Sequence, residues 1–363
     1  MKTYNCQELG LAKALAKKGH KVIITTPDHK EEHTLVNVEG GEPIEIYKLR
    51  VIGSNPVICW HAQIKKVLDE INPEIIHLNG FLSLVCLYYA IWKKKHSCKA
   101  VMIEGSYEIS RKPIKKILQL FGTYTIGYYV LKQMDGFGCK TQWAGRFVNR
   151  FINSEVVHTP IGLDTEKFSL SKEIEWRKKL GLERKKVLLY VGVQEKRRNP
   201  DFLIQLMKKL PEEYVLVMVG NGPMLDDINM LTEELDLQSR VMQLGKIPQS
   251  ELPSLYRSSD LFLLASSYEI YGMVLLESMF FGLPVISTLT AGSDCLIDSG
   301  IDGLIIEDLD VDKWGKAVRN ICETDLHEQM SVAAEKKIKE HFVWDKTVDE
   351  FLKLYSSVIN GKG

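Results

Sequence analysis

The stretch LFLLASSYEIYGMVLLESMFFGLPVIS, Leu261 to Ser287, leaves the chain few folds to choose from. Leu261 to Ala265 is an apolar run of strand length, bounded by Asp260 and two serines, and is expected to be a buried strand. From Gly272 to Phe281 the residues suit a helix and are apolar almost all the way round, so the helix has to be buried. Gly282 can end it, with Pro284 just beyond. Strand, tight loop, buried helix and strand make up a parallel α/β unit, and ligands gather at the carboxyl ends of such strands. Into this apolar setting the chain places two carboxylates, Glu269 in the loop and Glu277 in the helix.

A carboxylate in a buried helix must be paired or hydrogen-bonded, because desolvating an unpaired charge is very costly. A vicinal diol such as a ribose donates two hydrogen bonds to one carboxylate and would satisfy Glu277. Glu269 stands just before the helix, where a side chain can reach into the crevice. The N–H groups of Ile270, Tyr271 and Gly272 point the same way, with the positive end of the helix behind them. An anion seat between two hydroxyl-binding carboxylates fits a nucleotide diphosphate-sugar. A helix-terminal charge plus an internal salt bridge accounts for the same spacing, and spacing alone does not choose between the two.

Glu269-Ile-Tyr-Gly272, then Glu277 and Gly-Leu-Pro-Val-Ile at 282–286, resembles the E-x7-E segment of family-4 retaining glycosyltransferases of the GT-B fold. The likeness runs over nearly all the chain and is strongest from Lys186 to Gly303. It implies two facing Rossmann-like domains with parallel sheets, an acceptor on the first and a nucleotide-sugar mainly on the second. It also implies that Glu269 contacts the transferred sugar and Glu277 the ribose. The family carries a Gly-Arg pair after the strand Lys186–Val191 and a Lys five residues later; here Gly192 is followed by Val193, and Arg198 takes the Lys position. Arg198 forks naturally onto a diphosphate, and Lys196 or Arg197 can stand in for the absent Arg. Gly220-Asn221-Gly222 fails as a dinucleotide fingerprint, since Leu225 occupies the place of the third glycine, but fits a turn lining the nucleotide. Gly245-Lys246 belongs to the loop that holds the base in the family. On the acceptor side Glu104 stands where members often have His and is expected to touch substrate, though the usual role does not carry over to it. His77, at another strand's end, is expected more as a hydrogen-bonded structural His than as a base.

The expected reaction is transfer of a hexose from a UDP- or GDP-linked sugar to a hydroxyl of a glycan or lipid-linked acceptor. The resemblance implies retention through same-face attack, in surface polysaccharide or glycolipid synthesis. Glu269, Arg198 and Lys196 are the expected catalytic groups, with no cofactor and no metal. A GT-B nucleotide-sugar epimerase and a non-catalytic nucleotide-sugar-binding scaffold are the alternatives. Asp308-Leu-Asp310 looks like a metal-binding DxD, but it precedes a helix and is explained by N-capping.

Length and charge are consistent with this. A chain of 363 residues can hold two cores. The division is expected at Pro160 to Asp164, giving an acceptor-side domain over 1–163 and a nucleotide-sugar domain over 164–344. The last helix, about 345–363, is expected to return to the first domain. Net charge is zero, but residues 1–164 carry 22 Lys and Arg against 15 Asp and Glu, and the remainder carries the opposite imbalance. A basic first half suits an anionic acceptor or membrane surface. Nucleic acid is not expected, because no basic and aromatic module accompanies the charge. Seven scattered cysteines without paired spacing suggest reduced thiols in the cytoplasm, at the inner face of a membrane if the basic half meets lipid. The segment Arg111 to Gln133 interleaves cations with Phe121, Tyr124, Tyr128 and Tyr129, which fits an interfacial membrane patch or a core helix with a solvated basic face.

The alternation of strand and helix signals through both halves predicts parallel sheets. The opening residues MKTYNCQE contain no apolar strand before the helical pattern LGLAKALAKKGH, so the first strand and glycine turn usual in a Rossmann-like half are expected to be missing.

Overall fold

In the computed structural model the described residues are 7–52, 60–61, 63–110 and 112–361. The expectation about a missing first strand falls mainly on residues 1–6, outside that set. The chain divides into two compact units, one of Leu163–Val343 and the other of Cys6–Gly162 with Trp344–Gly363.

In the unit that opens the chain, the strands are β1 (Val22–Asp28), β2 (Glu32–Val36), β3 (Ile44–Ile52), β4 (Trp60–His61), β5 (Ile75–Asn79), β6 (Lys99–Glu104), β7 (Gly136–Cys139) and β8 (Val156–His158). The expected parallel sheet is present as β5-β6-β7-β8. The earlier strands form a separate mixed sheet among the described residues, with β1 parallel to β3 and β2 antiparallel to it. β2, sequence EHTLV, was not expected: its mostly exposed face removes the apolar run that marks a strand. A cavity of about 190 Å³ is lined by both sheets, through Val22 to Thr25 and through His77 and Asn79. The last helix, Trp344–Ile359, packs on the helix Gln7–Lys17 and on β7 of this same unit, burying Trp344, Val348, Phe351 and Leu354.

The unit of Leu163–Val343 holds one six-stranded parallel sheet. Its strands are β9 (Lys186–Val191), β10 (Tyr214–Val219), β11 (Val241–Gly245), β12 (Leu261–Leu264), β13 (Val285–Ser287) and β14 (Leu304–Ile305), in the order β11-β10-β9-β12-β13-β14. The switch in strand order lies between β9 and β12, where the loops after neighbouring strands diverge and leave a crevice. β10, YVLVMV, is buried at every position because both faces are covered, which is why a continuous apolar run marks a parallel strand. The helix after β12, Met273–Phe280, buries Val274 to Met279 as its all-round apolarity requires. Gly272 precedes it in the left-handed region, at φ 78°. Asp310 caps the helix Val311–Glu323, its Oδ1 accepting from the N–H groups of Asp312 and Lys313 at 2.9 and 3.1 Å, as capping predicted.

Candidate active site

The site is built where β9, β10, β11 and β12 of the Leu163–Val343 unit end. Three turns are laced together by backbone bonds: Gly192 N–H to the Val219 carbonyl at 2.9 Å, Gln194 N–H to Asn221 at 3.1 Å, and Gly220 N–H to Gly245 at 2.7 Å. Gln194 is fully buried and its amide donates to the Gly220 carbonyl and to the Gln243 side chain, at 3.2 and 2.7 Å. Two glycines are required by close approach. A Cβ on Gly222 would lie 2.2 Å from the Gln194 carbonyl oxygen, and one on Gly220, at φ +119°, would lie 2.0 Å from the Gly192 carbonyl oxygen.

The cationic run then turns through a single 3-10 segment, Lys196–Arg198. Asn199, in the left-handed region, donates to the Ala265 carbonyl at 2.7 Å, and Ser267 N–H donates to the Arg197 carbonyl at 2.7 Å. This stitches the cation loop to the loop carrying Glu269. Arg197 Nη1 donates to the Tyr268 carbonyl at 2.7 Å and to Glu269 Oε1 at 3.1 Å, while its Nε meets Glu195 at 2.8 Å. Arg198 Nη2 lies 3.3 Å from the same Glu269 oxygen, and Ser266 Oγ donates to it at 3.1 Å. Glu269 is 7% exposed, so two guanidinium groups converge on one buried carboxylate. Arg198 is 13% exposed on its side chain, and its Nε and Nη1 are buried with no hydrogen-bond partner, Nε standing 3.8 Å from Glu195 Oε1. Buried guanidinium donors left unmatched carry a desolvation cost, so this corner is suited to receive an anion.

Of the three adjacent cations, Arg197 and Arg198 thus turn into the cluster. Lys196 is exposed, its carbonyl accepting from the Asn199 N–H at 3.2 Å, and Lys246 is exposed as well. Asn221 is exposed, with its Oδ1 beside Gly245, and Gly222 packs against the Gln194 backbone. Ile270, Tyr271 and Gly272 lead into the Met273–Phe280 helix; Tyr271 is buried and its carbonyl lies against Gly292. Glu277 is 2% exposed, and its Oε2 accepts from the Tyr256 hydroxyl at 3.1 Å. Tyr256 itself stacks on Phe281, ring centroids 5.8 Å apart. Sequence reasoning missed Glu195, Ser266 and Tyr256 as partners of this cluster. Glu195 lies in the same QEKRR run and was open to inspection; Tyr256 is 21 positions from Glu277 and gives no local signal.

The two acceptor-side candidates lie in the other unit. Glu104 is buried at the end of β6, and its Oε1 accepts from the N–H groups of Gly105 and Ser106 at 2.9 and 2.7 Å. Burial raises its pKa, and those two N–H groups oppose the shift. His77 Nδ1 is 2.7 Å from the Tyr355 hydroxyl, and burial pushes its pKa down to about 4, with Lys140 adding to the shift. His77 is therefore neutral at pH 7 and serves as a hydrogen-bonding group there. Among the described residues no group of His, Cys, Asp and Glu is placed to hold a metal ion.

Comparison with known proteins matches the two units separately. The family described as "Glycosyltransferase Family 4" matches residues 9–167, and "Glycosyl transferases group 1" matches residues 172–337. An uncharacterized glycosyltransferase of Methanocaldococcus jannaschii is 24% identical over 98% of this chain and 94% of its own length. A UDP-Gal:alpha-D-GlcNAc-diphosphoundecaprenol alpha-1,3-galactosyltransferase of Escherichia coli is 30% identical over 56% of this chain and 54% of its own. The alignment thus spans about half the length of that relative. Among solved structures, HepE of Anabaena in complex with UDP and glucose covers 98% of this chain and 97% of its own at TM-score 0.72 and 14% identity. Sucrose-phosphate synthase of Thermosynechococcus elongatus covers 97% of this chain and 92% of its own at TM-score 0.76 and 18% identity. Such likeness in structure establishes the α/β GT-B fold, and the two family matches establish the rest: the chain belongs to the family-4, group 1 glycosyltransferases and is a sugar transferase.

Proposed function

We propose that the chain transfers a hexose from a UDP- or GDP-linked sugar to a hydroxyl of a glycan or lipid-linked acceptor, with the anomeric configuration retained. The observation that carries this reading is Arg198, whose Nε and Nη1 are buried without a hydrogen bond, beside the carboxylate of Glu269. Breaking the sugar–phosphate bond builds negative charge on the diphosphate, and a preorganised guanidinium stabilises that charge as it develops. Arg197, with Gly192 and Gly222 shaping the floor, completes the phosphate seat, and Lys196 is close enough in the chain to join it once ligand is bound. Glu269 orients the sugar hydroxyls, and Glu277 receives those of the ribose while Tyr256 holds its other side. Asn221, Gly245 and Lys246 border the base. Attack by the acceptor on the face vacated by the phosphate, with that phosphate taking the acceptor proton, balances the reaction without a metal.

Glu104 and His77 are assigned to the acceptor side, where Glu104 holds the backbone that follows β6 and His77 pairs with the Tyr355 hydroxyl. HepE holding UDP and glucose supports a uridine donor, and the galactosyltransferase that uses a diphosphoundecaprenol acceptor supports a lipid-linked one. A lipid-linked acceptor places the reaction at an anionic membrane surface, in glycolipid or surface polysaccharide synthesis. No helix among the described residues is long and apolar enough to cross a membrane, so contact in this reading is peripheral.

The test is calorimetry with UDP and GDP on Glu277→Ala. Loss of two charge-assisted hydrogen bonds to the ribose is expected to weaken nucleotide affinity by about thirtyfold or more. Unchanged affinity removes the ribose role from Glu277.

A further inference from the structure

The first unit carries a helix with no buried residue. Pro113–Gly122 continues through a π-helical segment, Thr123–Gly127, into the helix Tyr128–Lys132. Its C-terminal part is anchored: Val130 and Leu131 are buried, and Gly127 lies against Phe81. Its N-terminal turns are exposed on every side, so it is not the core helix that the sequence allowed. Yet Ile114, Ile117, Leu118, Phe121 and Tyr124 stand there between 64 and 76% exposed.

Those five follow the spacing i, i+3, i+4, i+7 and i+10, which lines one side of a helix as a single stripe. Tyr128, 42% exposed, extends it. Scattered exposed apolar residues need no explanation, but a contiguous stripe of large ones marks a contact surface. Lys112, Lys115 and Lys116 lie off the stripe and are exposed, and Lys132 sits 4.5 Å over the ring of Tyr128. Between Glu108 and Asp135 the sequence has five basic residues and no acidic one.

We infer that this helix is a membrane-docking element that lies in the surface of an anionic bilayer. The apolar stripe enters the acyl boundary, the lysines reach lipid phosphates, and the two tyrosines sit at headgroup depth. The exposed turns Pro113–Gly122 extend about 15 Å, and the C-terminal part of the same helix is buried in the unit, so the exposed part lies in the plane and does not span. Pairing with a second copy through this face would set the same lysines against each other, which charge complementarity disfavours. The inference rests on the proposed membrane-side transfer for its choice of partner and is independent of the nucleotide chemistry.

The full chain is sedimented with vesicles of phosphatidylcholine alone and of phosphatidylcholine mixed with phosphatidylglycerol. Binding to the mixed vesicles, weakened by salt, is expected. Ile117→Glu with Phe121→Glu is expected to weaken it by at least about tenfold. Replacing Lys112, Lys115 and Lys116 by Gln is expected to weaken binding by about a hundredfold at low salt on the mixed vesicles alone. All five positions are exposed, so UDP affinity measured on each variant serves as the control for folding. A wild-type chain that binds UDP but does not sediment with the mixed vesicles overturns the inference. So does a double variant that sediments like wild type, or a wild-type dimer that the double variant converts to monomer. Vesicle binding in a chain that takes up no nucleotide supports the docking face and contradicts the transferase assignment of substrate instead.

Discussion

Glu269→Gln is expected to lower kcat about a hundredfold while UDP affinity holds or tightens. The substitution is isosteric, so it tests the charge. In the free protein Glu269 Oε1 accepts from Arg197, Ser266 and, at 3.3 Å, faces Arg198. A neutral amide there no longer competes with phosphate for the two guanidinium groups, which is why nucleotide binding does not fall. What is lost is the negative group that holds the sugar hydroxyls, and misplacing the anomeric carbon by a fraction of an ångström has effects of that size on turnover. Steady-state kinetics against a panel of UDP- and GDP-sugars checks the first part and calorimetry the second. A kcat within a few-fold of wild type would detach Glu269 from the reaction.

Arg198→Ala is expected to act on both quantities. Charge-assisted hydrogen bonds contribute about 1.5–3 kcal/mol each, so losing a forked contact weakens UDP by about a hundredfold. The charge that builds on the leaving diphosphate adds a further loss in kcat of about a hundredfold. Arg198→Lys keeps the charge without the fork and is expected to recover only part of each. Thermal stability separates this from misfolding. The free protein holds Arg198 Nε and Nη1 buried without a hydrogen bond, so removing the guanidinium relieves a desolvation cost as it removes the ion pairs to Glu269 and Glu195. Tm is therefore expected to stay close to that of wild type while nucleotide binding collapses. A large fall in Tm with binding preserved would make Arg198 a structural residue.

Much of this was legible in the sequence, for a definite reason. Parallel strands covered on both faces must be apolar throughout, so LLYV, VLVMV and LFLL announce β9, β10 and β12 without help from tertiary structure. Gly282 and Pro284 end the Met273–Phe280 helix within a residue or two of the expected place. The failures arise where the deciding contact is distant. β2 is polar on its exposed side and pairs back onto β3, so no local period betrays it. Which of Lys196, Arg197 and Arg198 turns inward depends on a 3-10 turn held by Asn199 to the end of β12, 66 positions away. Composition treats the three cations alike. Tyr256 reaches Glu277 from another helix, and only packing brings them together. The Pro113–Gly122 helix has the same sequence whether its apolar stripe faces a core or solvent; its exposure in the folded unit decides the matter.

In the proposed reaction a cationic corner and a buried acid divide one nucleotide between them. The direct measurement is a crystal structure of the protein with UDP. The diphosphate is expected within hydrogen-bond reach of Arg198 Nε or Nη1, and both ribose hydroxyls on Glu277. UDP bound elsewhere, with those two Arg198 donors still unmatched and Glu277 touching only protein, would contradict it.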